Sequence, residues 1–231
     1  HLHSCYSSDG EVGITEIVEY CIQGEISLFS ITDHNSVKGN QEASRFAHEK
    51  GIKFIPGIEI DCNYEGTDLH LLGYGINWES PDFLYLEDDI FQKAMTSFDT
   101  MIENLHSLGF SIDKETVLMR ANGKQPTGEL IAEIMLTDKK YHTPLLEPYM
   151  PGGERSSMPY INFYLDYFAQ GKPAYVAIDY ISYEEAIQMI RDNGGIPIVA
   201  HPGLNFNGQE KRVEQLLNKG SCGLEVFNNY H

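Results

Sequence analysis

LFSITDH (28–34), SVKGNQEASRFAHEKG (36–51) and IKFIPGIEIDC (52–62) set the fold class. The first and third are runs of strand-forming residues. The second is a helical segment closed by Gly51. Strand, helix and strand in succession argue for a parallel α/β sheet or barrel. On the N-terminal side, HLHS (1–4) reads as the end of another strand. EVGITEIVEYCIQG (11–24) reads as an amphipathic helix with Thr15 as its N-cap. On the C-terminal side, DLHLLGYGI (68–76) is a further strand. The alternation resumes with helix 182–195, strand IPIVAHPG (196–203), helix 207–220 and strand CGLEVFN (222–228), while PAYVAI (173–178) is a weak extra strand. Between 77 and 172 the apolar spacing is helical, over 82–109, 128–136 and 158–171. A barrel domain at 1–76 and 173–231, with a helical insertion at 77–172, is therefore expected. Six clear strands leave a parallel barrel short of closure, so its C-terminal end is expected to lie beyond residue 231.

The 231 residues carry 16 Lys and Arg against 34 Asp and Glu, a net charge of −18. That balance excludes a broad basic face for extended nucleic acid, and electrostatic docking on an anionic membrane. No apolar run approaches the roughly 20 residues that span a bilayer. Cys5, Cys21, Cys62 and Cys222 form no close pair, which points to free thiols in a reducing, cytoplasmic compartment.

Nine histidines are present, and six of them (His1, His3, His34, His70, His201 and His231) lie at or near the ends of expected strands. In parallel barrels active sites are built at strand C-termini. His1 and His3, two apart, face one side of an extended segment and are placed to share a metal. Asp9 stands in the turn SSDG, and Thr32-Asp33-His34 closes an otherwise apolar strand. Glu59 lies between Ile58 and Ile60. A carboxylate buried there needs a cation or a metal. Glu225 lies in the last strand. Mixed imidazole and carboxylate donors suit zinc, manganese or iron. Two or three divalent ions are expected, clustered as in phosphoester hydrolases, and would add about +4 to +6 of local charge. The aromatic stripe Tyr160, Phe163, Tyr164, Tyr167 and Phe168 has helical spacing and is expected to form core.

HLHSCYSSDG (1–10), ITDHN (31–35), PGIEI (56–60), LHLLGYGI (69–76), IVAHPG (198–203) and GLEVFNNYH (223–231) together resemble the polymerase-and-histidinol-phosphatase (PHP) family of metal-dependent phosphoesterases. The resemblance implies a distorted (β/α)7 barrel with two or three metals at its C-terminal rim. It implies that His1 and His3 bind a first metal with Glu59 bridging, Asp9 and His34 a second, and His70 and His201 a third. Asp33 would orient His34 or its surroundings, and His231 would lie near the substrate phosphate. The chain departs from the family pattern in three places. The family's final Asp-x-His is absent before residue 231, the segment TGELIA (127–132) lacks an Arg-x-His, and Leu204 follows HPG in place of Arg.

The expected function is hydrolysis of a small phosphorylated substrate by a metal-bridging hydroxide, with His231 as a candidate general acid. Alternatives are a nuclease or cyclic-nucleotide phosphodiesterase, and a non-catalytic metal-binding domain of the same type. The helical insertion is the expected source of specificity.

Overall fold

The computed structural model describes residues 1–228, a mixed α/β fold. It divides into two compact units, 1–88 with 179–231, and 89–178.

Among the described residues, all the strands lie in the first unit. β1 (Leu28–Phe29) pairs in parallel with β2 (Lys53–Phe54). A five-stranded sheet has the order β5-β3-β4-β6-β7. Its members are β3 (Gly57–Tyr64), β4 (Thr67–Tyr74), β5 (Ile181–Ser182), β6 (Ile196–Val199) and β7 (Gly223–Leu224). The uniformly parallel sheet expected from the sequence is not what forms, because β4 runs antiparallel to both β3 and β6. Only Glu65 and Gly66 connect β3 to β4, both with positive φ (48° and 80°). A two-residue turn of this hand makes a hairpin, whereas a parallel neighbour needs a crossover of a dozen residues or more.

The described residues form two sheets, with no closed barrel among them. Two further expectations change. HLHS enters as a single parallel bridge, Leu2 to Ile31, and a second bridge joins His34 to Glu59. PAYVAI makes no strand; the Ala174 N–H donates to the Tyr167 carbonyl and Ala174 joins the helical core of the second unit.

Helices cover the first unit's sheets. α1 (Ile14–Gln23) starts two residues earlier than expected, with Gly13 rather than Thr15 as N-cap. α2 (Lys38–Lys50) ends at Gly51 in the left-handed conformation. Ile14, Ile17, Val18 and Cys21 pack with Phe29, Ile31, Ala43 and Ala47. The helix at Tyr183–Asp192 begins with a capping box between Ser182 and Glu185. It packs on β3, β4 and β6. A Cβ on Gly73 of β4 would stand 2.9 Å from Ile190 Cγ1 and 3.1 Å from Ile58 Cγ2. Gly73→Ala is therefore expected to cost about 1–3 kcal/mol by overpacking, read as a lower thermal midpoint; an unchanged midpoint would contradict this packing.

The second unit is helical. The boundary at residues 88 and 89 falls inside the long helix Pro81–Ser107. Helices Lys114–Ala121, Gly128–Thr137 and Pro159–Tyr167 follow. Phe163 and Phe168 are buried with Phe110 and Tyr149, and Tyr164 and Tyr167 pack against them. Most of the aromatic stripe is thus core; Tyr160, at 36% exposure, lies at its edge.

Candidate metal centre

All the site residues that can be placed lie in the first unit. β3 carries Glu59 and Asp61 on one face, since residues two apart share a side. β4 sets His70 directly opposite Asp61. The bridges at Ile31 and Glu59 bring the N-terminal segment and residues 31–34 alongside β3. The Ala200 N–H donates to the His70 carbonyl and the Glu225 N–H to the Val199 carbonyl, adding the ends of β6 and β7.

Glu59 is the centre of the arrangement and is fully buried. Its Oε2 lies 2.8 Å from His1 Nε2 and 2.7 Å from His3 Nε2, and those two nitrogens are 3.1 Å apart. Its Oε1 lies 3.0 Å from His70 Nδ1 and 3.1 Å from His201 Nε2, themselves 3.2 Å apart. Each carboxylate oxygen thus faces a pair of imidazole nitrogens. His3 Nδ1 reaches Asp9 at 2.9 Å, and His34 Nε2 lies 3.8 Å from Asp9 and 3.7 Å from Glu59. The structure therefore gathers His1, His3, Asp9, His34, Glu59, His70 and His201 into one cluster. His231 lies outside the described residues.

Asp33 goes elsewhere. Its carboxylate is buried and accepts the Ser4 N–H (2.6 Å) and the Ser4 hydroxyl (2.8 Å). It anchors the N-terminal segment rather than the His34 ring. Burial pushes the Asp33 carboxyl above the usual range, against the pull of the two Ser4 bonds. Asp33→Ala is expected to cost about 2 kcal/mol, since the buried Ser4 N–H and hydroxyl both lose their acceptor. Thermal unfolding checks this, and an unchanged midpoint would contradict it.

Two acids sit beside the cluster without a role assigned from the sequence. Asp61 Oδ1 lies 2.8 Å from His34 Nδ1 and 3.4 Å from His70 Nε2. Glu225 Oε1 lies 2.9 Å from His1 Nδ1, and its Oε2 accepts the His201 N–H at 2.9 Å. The latter bond holds His201 at φ 24°, a conformation in which a non-glycine residue is strained. The two-residue spacing of Asp61 from Glu59, and an acid inside the apolar strand at 225, are the signals that mark them.

The electrostatics of the cluster are those of crowded donors. Burial works against the charge on Glu59, but the charged His34 and hydrogen bonds from His1, His201 and His3 hold its carboxyl well below the usual range. Asp9 is likewise held low against burial, by its bond to His3 and the charge of His34. Burial depresses His1, yet its bonds to Glu225 and Glu59 win and push it up to about 9. His34 also rises well above the usual imidazole range, with burial outweighed by the Glu59 and Asp61 charges. His201 falls, because burial and the neighbouring His70 outweigh its bond to Glu59.

These residues fit divalent ions. In each facing pair of imidazole nitrogens only one can donate a proton to the other, whereas a cation accepts both lone pairs. The possible three-residue ligand groups are His1, His3 and Glu59; His3, Asp9 and His34; His34, Asp61 and His70; and Glu59, His70 and His201. Nitrogen and carboxylate donors without thiolates are the chemistry of zinc, manganese and iron sites.

The profile of the PHP domain matches residues 1–219. The chain is 28% identical to a 5'-3' exoribonuclease of Haemophilus influenzae, over 94% of this chain and 72% of that one. It is 25% identical to a 3',5'-nucleoside bisphosphate phosphatase of Chromobacterium violaceum, over 100% of this chain and 76% of the other. A solved structure described as an amidohydrolase from Chromobacterium violaceum, with bound sulfate, superposes with a TM-score of 0.78 at 25% identity. That match covers 99% of this chain and 76% of the other. Both named relatives act on phosphoric esters.

Proposed function

Since this chain belongs to the PHP domain family, whose named relatives here are phosphoesterases, we propose that it hydrolyses a small phosphoester at the cluster around Glu59. The reaction class is metal-dependent hydrolysis of a phosphoric ester bond. The observation that carries this reading is the placement of Glu59, each of whose oxygens faces two imidazole nitrogens.

In this reading His1, His3 and Glu59 would hold one ion, Glu59, His70 and His201 a second, and Asp9 with His34 would contribute to a third. Zinc, manganese or iron suits that donor set. Bound ions would activate water near neutral pH and neutralise charge on the phosphoryl oxygens. The chain's own residues do the positioning. Glu225 fixes the His1 ring so that Nε2 points at Glu59. Ser7 donates to Asp9 and accepts the His34 N–H, tying the turn at 7–9 to the end of the strand at 34. Phosphate recognition is read as falling largely to the bound ions, and the net charge of −18 speaks for a small substrate over a long polymer. The two sheets and the bridged segments at 2 and 31 are read here as parts of one distorted seven-stranded barrel, with residues 77–172 inserted into it.

A second reading is an exonuclease acting at a chain end, supported by the likeness to the Haemophilus influenzae exoribonuclease. Rates on a nucleoside 3',5'-bisphosphate, simple phosphomonoesters, a cyclic phosphate and a short oligoribonucleotide, with Mn²⁺, Zn²⁺ or Fe²⁺ supplied, separate the two. Preference for the small esters supports the first reading and preference for the oligonucleotide the second. Hydrolysis of none contradicts both.

A further inference from the structure

Asp61 is held more rigidly than a surface acid would be. It is buried, and its backbone N–H donates to Asn35 Oδ1 at 2.9 Å. Asn35 Nδ2 in turn donates to Asp61 Oδ2 at 2.8 Å. Asn35 is itself buried and has φ 53°, and its N–H donates to the Glu59 carbonyl at 2.7 Å. One amide side chain therefore grips both the backbone and one carboxylate oxygen of Asp61, leaving only Oδ1 to face the cluster.

That oxygen meets two rings by different nitrogens: Nδ1 of His34 at 2.8 Å, and Nε2 of His70 at 3.4 Å. The opposite nitrogen of each ring faces the cluster. His34 Nε2 lies toward Asp9 and Glu59, and His70 Nδ1 toward Glu59 and His201. A carboxylate on one ring nitrogen places the proton there and the lone pair on the other.

We propose that Asp61, gripped by Asn35, is a positioning residue that sets which nitrogen His34 and His70 each present to the metal cluster. It makes His34 an Nε2 donor and His70 an Nδ1 donor, so one carboxylate orients ligands on two sides of Glu59. The inference rests on the metal-dependent reading above. It also excludes Asp61 itself as a ligand, since that would require the two ring nitrogens that face it to turn to the metal.

The test uses zinc binding to the chelator-stripped chain, and long-range proton–nitrogen NMR of the histidines in the zinc-loaded chain. The wild type is expected to show His34 protonated at Nδ1 and His70 at Nε2. Asp61→Ala is expected to weaken zinc binding about 10–100-fold, the usual effect of removing such a partner. It also loses the single protonation pattern. The double variant Asn35→Asp with Asp61→Asn keeps the paired grip with donor and acceptor exchanged, and an Asn carbonyl still faces both rings. It is expected to fold, to keep the wild-type ring pattern and to bind zinc more tightly than Asp61→Ala. A wild type protonated at the cluster-facing nitrogens, or an Asp61→Ala chain that binds zinc as tightly as wild type, overturns the proposal alone. A wild-type chain that binds no zinc, manganese or iron overturns it together with the metal-dependent reading.

Discussion

Glu59→Gln is expected to lower kcat/KM for phosphoester hydrolysis by about 10³-fold or more, equivalent to about 4 kcal/mol of lost transition-state stabilisation. The amide keeps the shape of the carboxylate. It removes the charge, and it turns an NH₂ group toward one of the two imidazole pairs that now face an oxygen. A donor aimed at ring nitrogens that should carry lone pairs blocks the ions on that side. The number of metal ions per chain should fall with the rate. In the metal-free chain the same change strips the buried counter-charge from His1, His3 and His34. Breaking a buried ion pair costs about 3–5 kcal/mol, so the stripped variant should also unfold earlier. A Glu59→Gln chain with wild-type metal content and a rate within a few-fold of wild type would contradict the bridging role.

The second large effect is a stability that depends on pH in opposite ways with and without metal. His1 has its pKa pushed up to about 9 from an ordinary 6.5, because its bonds to Glu225 and Glu59 overcome the burial that lowers it. Folding thus favours protonated His1. That stabilisation is fully present below 6.5 and is lost as pH rises through about 9. The shift is equivalent to at most about 3 kcal/mol. His3 and His34 are raised as well and act in the same direction. The chelator-stripped chain should therefore show a falling thermal midpoint across this window. Metal binding needs the deprotonated rings, so metal affinity should rise across the same window and hold the loaded chain's midpoint up. A stripped chain whose midpoint is flat between 6.5 and 9 would contradict the arrangement of His1 between its two acids.

Where a helix is legible it carries its own punctuation, but Lys114–Ala121 goes unread and the α1 cap is Gly13, not Thr15. Gly51 ends α2, and Ser182 with Glu185 opens the helix before Asp192. The clustered histidines and Glu59 stand out in the sequence because a polar residue breaking an apolar strand has few explanations other than a partner. Strand direction is not readable from the alternation alone: the turn at Glu65 and Gly66 reverses the chain within what reads as a parallel α/β pattern. Adjacency misled at Asp33. Neighbours in an extended segment point to opposite sides, so Asp33 reaches Ser4 while His34 finds its acid at Asp61, 27 positions away. Asp61 and Glu225 depend on which strand ends meet, and that follows from the pairing of β3 with β4 and the junction of β6 with β7.

Titration of the chelator-stripped chain with Mn²⁺ or Zn²⁺, with bound metal and phosphoester hydrolysis read on the same samples, tests whether the cluster around Glu59 is the working centre. The geometry predicts no hydrolysis without metal, at least two ions bound at saturation, and a rate that rises as they bind. Hydrolysis undiminished in the stripped chain, or ions bound in full with no ester in the panel cleaved, would contradict it.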